Sequence, residues 1–167
     1  MSGPARLRAK SLAERTQVLA ACCASSRWIT LMAEQLDPCV DEASLFALAE
    51  EIWWGLDPED WREALAAHPR IGERTPEGST EGREQGAMAT AGPAIRDEIA
   101  AGNVEYEQRF GMTYVVRARG RSPGELLLLL RQRLVNEPEE ELRVAAGEQV
   151  EITRLRLADV LAQDVAA

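Results

Sequence analysis

The chain has 167 residues, 46% of them hydrophobic and 28% charged, and a net charge of −9 from 19 basic and 28 acidic residues. That length suffices for one domain with a real core, and no apolar run is long enough to span a bilayer. The acidic balance speaks against a nucleic-acid or anionic-membrane partner, which needs a clustered basic surface.

A small anionic ligand stays open, since one arginine in a pocket holds an anion whatever the global charge. No basic segment followed by an apolar one opens the chain, so a secreted protein is not expected. The C-terminal QDVAA is not a peroxisomal address of the Ser-Lys-Leu type. Cys22 and Cys23 are adjacent, Cys39 is isolated, and no metal-binding spacing relates them. Reduced thiols in a cytoplasmic protein are the simplest expectation.

Residues 1–10 read as a flexible N-terminus. SLAERTQVLAACC (11–23) opens on a serine cap and carries Leu12, Val18, Leu19 and Cys22 at helical spacing. SSRWITLMAEQL (25–36) repeats the pattern with Trp28, Leu31, Met32 and Leu36, and Pro38 ends it. DEASLFALAEEIWWGL (41–56) predicts a third helix stopped by Gly55. DPEDWREALAAH has an aspartate cap, a proline at its first helical position, and Trp61 and Leu65 on one face. The four tryptophans, Trp28, Trp53, Trp54 and Trp61, are expected in the core.

A polar connection spans 69–82. From Arg83 to Val116 the pattern is again helical, with Pro93 and Gly102 as predicted kinks or breaks. MTYVVRA (112–118), the one β-branched cluster, is read as a helix end. SPGELLLLLRQRLVN (122–136) has a serine cap and Pro123 at the first helical position, and 138–163 is a long closing helix. The prediction is an all-α, single-domain helical bundle of about six to eight helices.

Four positions in three segments can carry chemistry. His68, the only histidine, ends a helix before a proline, which pushes its backbone out of the helical region. A histidine at a helix C-terminus is most often structural, yet the long polar connection after it is of the kind that tends to be functional, and histidine is the usual general acid or base. Glu84 and Gln85 are read as the start of the next helix, where an acidic residue simply complements the macrodipole. The same geometry would put a carboxylate, an amide and free N–H groups at one pocket mouth. Arg156 shares a helix face with Gln149, Ile152 and Val160, so it either snorkels or meets an anion.

In order and spacing, HPRIGE (68–73), REQ (83–85), N..Y..RFG (103–111) and LRLADVL (155–161) resemble the family of 2-oxo-4-hydroxy-4-carboxy-5-ureidoimidazoline (OHCU) decarboxylases. The resemblance runs from CCASSRW (22–28) to EQVEITRLRLADVL (148–161). It implies an all-helical, usually homodimeric enzyme that needs no cofactor or metal. Such an enzyme converts OHCU, derived from urate, into (S)-allantoin. It also implies His68 as the catalytic histidine and Glu84 as its partner. Pro69, Glu81, Gly82, Arg83, Gln85 and Arg156 fall at substrate-lining positions, and Tyr114, Val115, Val116, Arg117 and Ala118 form a segment whose backbone meets the ring. One departure stands out: many members have serine where this chain has Glu81, so Ser79 or Thr80 takes over that hydrogen bond or the contact is lost. Three readings stay open: a cofactor-independent decarboxylase, a non-catalytic helical module binding a ureide or purine-like anion, and a dimerisation scaffold.

Overall fold

The computed structural model describes residues 3–163. All regular structure among them is helical: α1 (Gly3–Ala9), α2 (Leu12–Ala20), α3 (Ser26–Gln35), α4 (Glu42–Trp54), α5 (Pro58–Ala66), α6 (Thr80–Glu84), a 3-10 helix (Gly86–Thr90), α7 (Pro93–Phe110), α8 (Pro123–Arg133) and α9 (Pro138–Gln163). The expected all-α class holds, and the additional elements are short. The C-terminal DVAA, read above for a targeting signal, lies outside the described residues, as do Met1 and Ser2. No described helix is long and apolar enough to cross a membrane. The chain sorts into two compact units, one holding residues up to Ala64 and from Val150 onward, the other Leu65–Gln149.

In the first unit the serine caps form. Ser11 and Glu14 make a reciprocal capping box on α2 and Ser25 caps α3, and Asp41, which the sequence did not single out, caps α4, so backbone N–H groups that a helix start leaves orphaned are satisfied. The indole of Trp28 donates to Ala49 O at 3.0 Å and that of Trp61 to Trp53 O at 2.9 Å, which settles their polar edges inside the core. Trp54 departs from the expectation. It is 44% exposed and meets Trp61 edge-on at 5.6 Å. Adjacent residues on a helix point about 100° apart, so Trp53 and Trp54 cannot both face the core. Nor is the N-terminus free of structure, because residues 3–9 are α1 with Leu7 buried. Gly3 is required there, since a Cβ would stand 2.9 Å from that of Leu161.

In the second unit α7 packs on α8 around Ile99, Tyr106, Leu126, Leu127 and Leu130. Pro93 opens α7, as read from the sequence, but Gly102 does not break it. A Cβ on Gly102 would lie 2.5 Å from Leu130 Cδ2 and 3.1 Å from its Cγ. The glycine therefore serves close packing against α8 instead of bending the helix. The run of five leucines is buried at Leu126, Leu127 and Leu130, with Leu128 turned outward.

The segment 112–118 was expected as a helix end and is not one. Gly111 adopts φ 66° and terminates α7 after Phe110, and residues 113–118 are neither helix nor strand. Tyr114, Val115 and Val116 are nonetheless buried, so their backbone needs partners. Side chains supply them. Arg133 donates to Val115 O at 2.7 Å, Glu148 accepts from Arg117 N–H at 2.8 Å, and the Tyr114 hydroxyl donates to Leu126 O at 3.0 Å.

Arg133 in turn belongs to a buried polar cluster. Its guanidinium pairs with Glu141, which has 0% relative exposure. Glu141 also accepts from the Tyr106 hydroxyl and, at 2.9 Å, from the Asn136 amide. The Arg133 guanidinium lies 4.8 Å from the Tyr114 ring centroid and 5.7 Å from that of Tyr106. Burial pushes both tyrosine hydroxyls well above the usual range, so they stay protonated donors.

Two stability effects follow. Gly102→Leu should destabilise the protein by about 1–3 kcal/mol through overpacking against Leu130. Glu141→Gln should cost about 3–5 kcal/mol, because it leaves the Arg133 charge buried without its counter-ion. Urea titration followed by far-UV circular dichroism measures both, and wild-type midpoints for either variant would refute the corresponding packing argument.

Candidate functional site

His68 follows the end of α5 at Ala66, and its N–H donates to Leu65 O at 3.3 Å in the terminal turn. Pro69 then forces the chain away from the helical direction. The imidazole is half-buried, and its Nε2 lies 2.6 Å from Oε1 of Gln149 in α9. Gln149 itself has no exposed surface.

The rest of HPRIGE closes on itself. Glu73 N–H donates to Arg70 O at 3.1 Å, the Glu73 carboxylate accepts from Arg70 N–H at 3.0 Å, and Gly72 takes φ 83° at the third position of this turn. The turn is pinned to α7 twice. Asn103 donates to Ile71 O at 3.0 Å, and Arg70 makes a two-pronged pair with Glu107 at 2.6 and 2.7 Å. Those Arg70 hydrogen bonds hold the Glu107 carboxyl below its ordinary range. HPRIGE and N..Y..RFG are thus two halves of one piece of packing.

The connection after Glu73 ends sooner than the sequence suggests, because α6 begins at Thr80. Ser79 caps it, accepting from Gly82 N–H at 3.1 Å, and Thr80 Oγ1 accepts from Arg83 at 3.3 Å. Both hydroxyls read from the sequence as stand-ins for the serine at the Glu81 position are therefore engaged at the start of α6. Arg83 also donates to Gly78 O at 2.7 Å, and a Cβ on Gly82 would come within 2.9 Å of Thr75 Oγ1. Glu81 and Glu84 are half-buried. Glu84 closes α6 where the sequence pattern had it opening a helix, so the N-terminal dipole argument does not apply to it. Gln85 is the C-cap. Its Oε1 accepts from Gly72 N–H at 2.9 Å and its amide donates to Arg70 O at 3.4 Å, tying the end of α6 to the HPRIGE turn.

An open concavity of about 580 Å³ beside His68 is lined by Arg70, Glu73, Glu107, Gly111, Met112 and Thr113. Its one arginine is committed to Glu107, and two carboxylates face it. On charge alone it does not attract an anion. Glu84 is not among its lining residues.

In the first unit Arg156 is half-buried on α9. Burial pushes the Cys22 thiol up to about 12 and that of Cys23 up to about 11, with the Arg156 charge opposing the shift in both. Arg156 therefore lies within electrostatic reach of two neutral thiols that do not compete for its charge.

The sequence reading missed the residues that hold these groups, namely Gln149, Glu148, Arg133 and Glu141. A signal existed for Gln149, a polar residue placed among apolar neighbours on the face it shares with Ile152. Glu148 accepts from Arg117 N–H and pairs with Arg121 at 3.0 Å. Neighbouring residues of α9 thus anchor His68 and the 113–118 segment.

The family model for OHCU decarboxylase matches residues 8–158. The uric acid degradation bifunctional protein TTL of Arabidopsis thaliana is 35% identical over 146 residues, covering 82% of this chain and 44% of that protein. The 2-oxo-4-hydroxy-4-carboxy-5-ureidoimidazoline decarboxylase of Amia calva is 39% identical over 100 residues, or 60% of this chain and 51% of the relative. The chain thus spans about half the length of these curated relatives. A crystal structure of OHCU decarboxylase in the presence of (S)-allantoin superposes with a TM-score of 0.75 at 33% identity, covering 86% of this chain and 96% of the other. A structure of (S)-allantoin synthase, at 19% identity and a TM-score of 0.76, shares the fold. With nearly its whole length matched by one family model and its four motifs in order, the chain belongs to the OHCU decarboxylase family.

Proposed function

We propose that the chain decarboxylates OHCU to (S)-allantoin in urate degradation, with His68 as general acid/base assisted by Glu84. Family membership supports the reaction, and one observation carries the residue: the chain's only imidazole is held half-buried by a fully buried amide. An imidazole anchored at one nitrogen is oriented for proton transfer at the other.

The chemistry suits these residue types. Breaking the bond from C4 to its carboxylate releases CO₂, and the electron pair left behind forms a C4–C5 double bond while the neighbouring C=N pair moves onto the ring nitrogen, which takes up a proton, so the substrate ring is the electron sink. The C4 hydroxyl then loses its proton as the carbonyl forms, and C5 gains a proton on one face. Both transfers need a group that ionises near neutral pH. In this reading His68 moves the proton, and Glu84 orients the imidazole or disfavours the substrate carboxylate. The concavity on the Arg70 side is too acidic to hold that carboxylate, and the family resemblance alone supplies Arg156 as its partner. Pro69 aims the imidazole, and Gln85 holds the turn beside it. A homodimer working in the cytoplasm belongs to the same reading.

Freshly generated OHCU incubated with the protein should yield optically active allantoin, followed by circular dichroism. His68→Ala should lower the rate by about 10²–10⁴-fold, the usual contribution of positioned acid–base catalysis. Equal rates for the two proteins would remove His68 from the mechanism. Saturable allantoin binding without any acceleration of OHCU decay would replace the enzyme with a binding module.

A further inference from the structure

The contact between His68 and Gln149 specifies more than the position of a ring. We propose that Gln149 is the positioning residue that sets the tautomer of His68, holding the neutral imidazole protonated at Nε2 so that Nδ1 is its basic nitrogen.

The argument is one of hydrogen-bond inventory. The atom facing His68 Nε2 at 2.6 Å is the amide oxygen of Gln149, which can only accept. The ring nitrogen must therefore carry the hydrogen. A neutral imidazole has one N–H, so the other nitrogen, Nδ1, bears the lone pair. When the ring takes up a second proton both nitrogens donate, and the bond to Gln149 persists. His68 can thus gain and lose a proton at Nδ1 without leaving its anchor. A carboxylate at position 149 would also accept from Nε2, but its charge would favour the imidazolium and bias the ring toward one state. A neutral acceptor fixes orientation without that bias, which suits a group that both takes and gives a proton.

The anchor is rigid. Gln149 has no exposed surface and projects from the 26-residue helix α9, and a site built on a helix holds geometry better than one on a loop. On the other side, the His68 backbone is fixed by Pro69 and by its hydrogen bond to Leu65 O. The catalytic importance of the tautomer rests on the decarboxylase reading above, whereas the tautomer itself does not depend on any substrate.

His68 is the only histidine, so the tautomer is directly readable. Tag-free, uniformly ¹⁵N-labelled protein at a pH where the ring is neutral should give one imidazole spin system in a long-range ¹H–¹⁵N correlation spectrum. The nitrogen coupled to both ring C–H protons is Nε2, and it should show the protonated, pyrrole-type shift. A pyridine-type shift at Nε2 would overturn the proposal, because Gln149 would then be donating through its amide nitrogen. In Gln149→Leu the spectrum should move toward a mixture of tautomers. A wild-type pattern in that variant would show that something other than Gln149 sets it.

With OHCU as substrate, Gln149→Leu should lower kcat by about 10–100-fold, the range typical of outer residues that orient a working histidine, while KM changes little. A rise in KM at unchanged kcat would overturn the positioning role. Should Gln149→Leu not fold, the wild-type spectrum alone still decides the tautomer. Should OHCU not be turned over, the spectrum stands and only the decarboxylase reading falls.

Discussion

A carboxylate without exposed surface has to be neutralised where it lies, and much of the second unit is arranged around meeting that demand for Glu141. Arg133 from α8, Tyr106 from α7 and Asn136 from the connection before α9 all converge on it. Once Arg133 is drawn inward, its remaining N–H reaches Val115 O and supplies a partner to a buried backbone that has neither helix nor ladder. The ion pair is better understood as a device for specifying geometry than as a source of net stability, since desolvation offsets much of its Coulomb energy.

The motifs that mark the family divide by role when their contacts are followed. In HPRIGE the last four residues build a turn and pin it to α7, leaving His68 and Pro69 for chemistry. In N..Y..RFG, Asn103 and Glu107, which falls between the tyrosine and Arg109, receive that turn, Tyr106 joins the Glu141 cluster, and Gly111 ends the helix. A motif persisting as a unit need not be an active site as a unit. Here most of its residues serve one imidazole by fixing the backbone that carries it.

The helical class, the serine caps and the closing helix were legible because they depend on local periodicity and local hydrogen bonds. So was the position of His68 at a helix end before proline. Glu84 was misplaced because α6 is only five residues long, too short to leave a periodic trace. Gly102 read as a break because its reason, the approach of Leu130, lies on another helix. The 112–118 segment read as helical because Arg133 and Glu148, which satisfy its backbone, come from later in the chain. Gln149 went unassigned because its partner is 81 residues away. The last three misses each concern a tertiary contact, and propensity carries no information about those.

Glu148 and Gln149 are consecutive on one continuous helix, and each holds a different working part of the second unit. An α-helix turns through about 100° with each residue. One residue inserted or deleted between Pro138 and Glu148 would swing both side chains off their targets together, detaching the imidazole and the Arg117 amide in a single step. The exposed stretch around Pro76, Glu77 and Gly78 carries no such load. Evolution can therefore change the length of this chain cheaply ahead of α6 and hardly at all within the first half of α9.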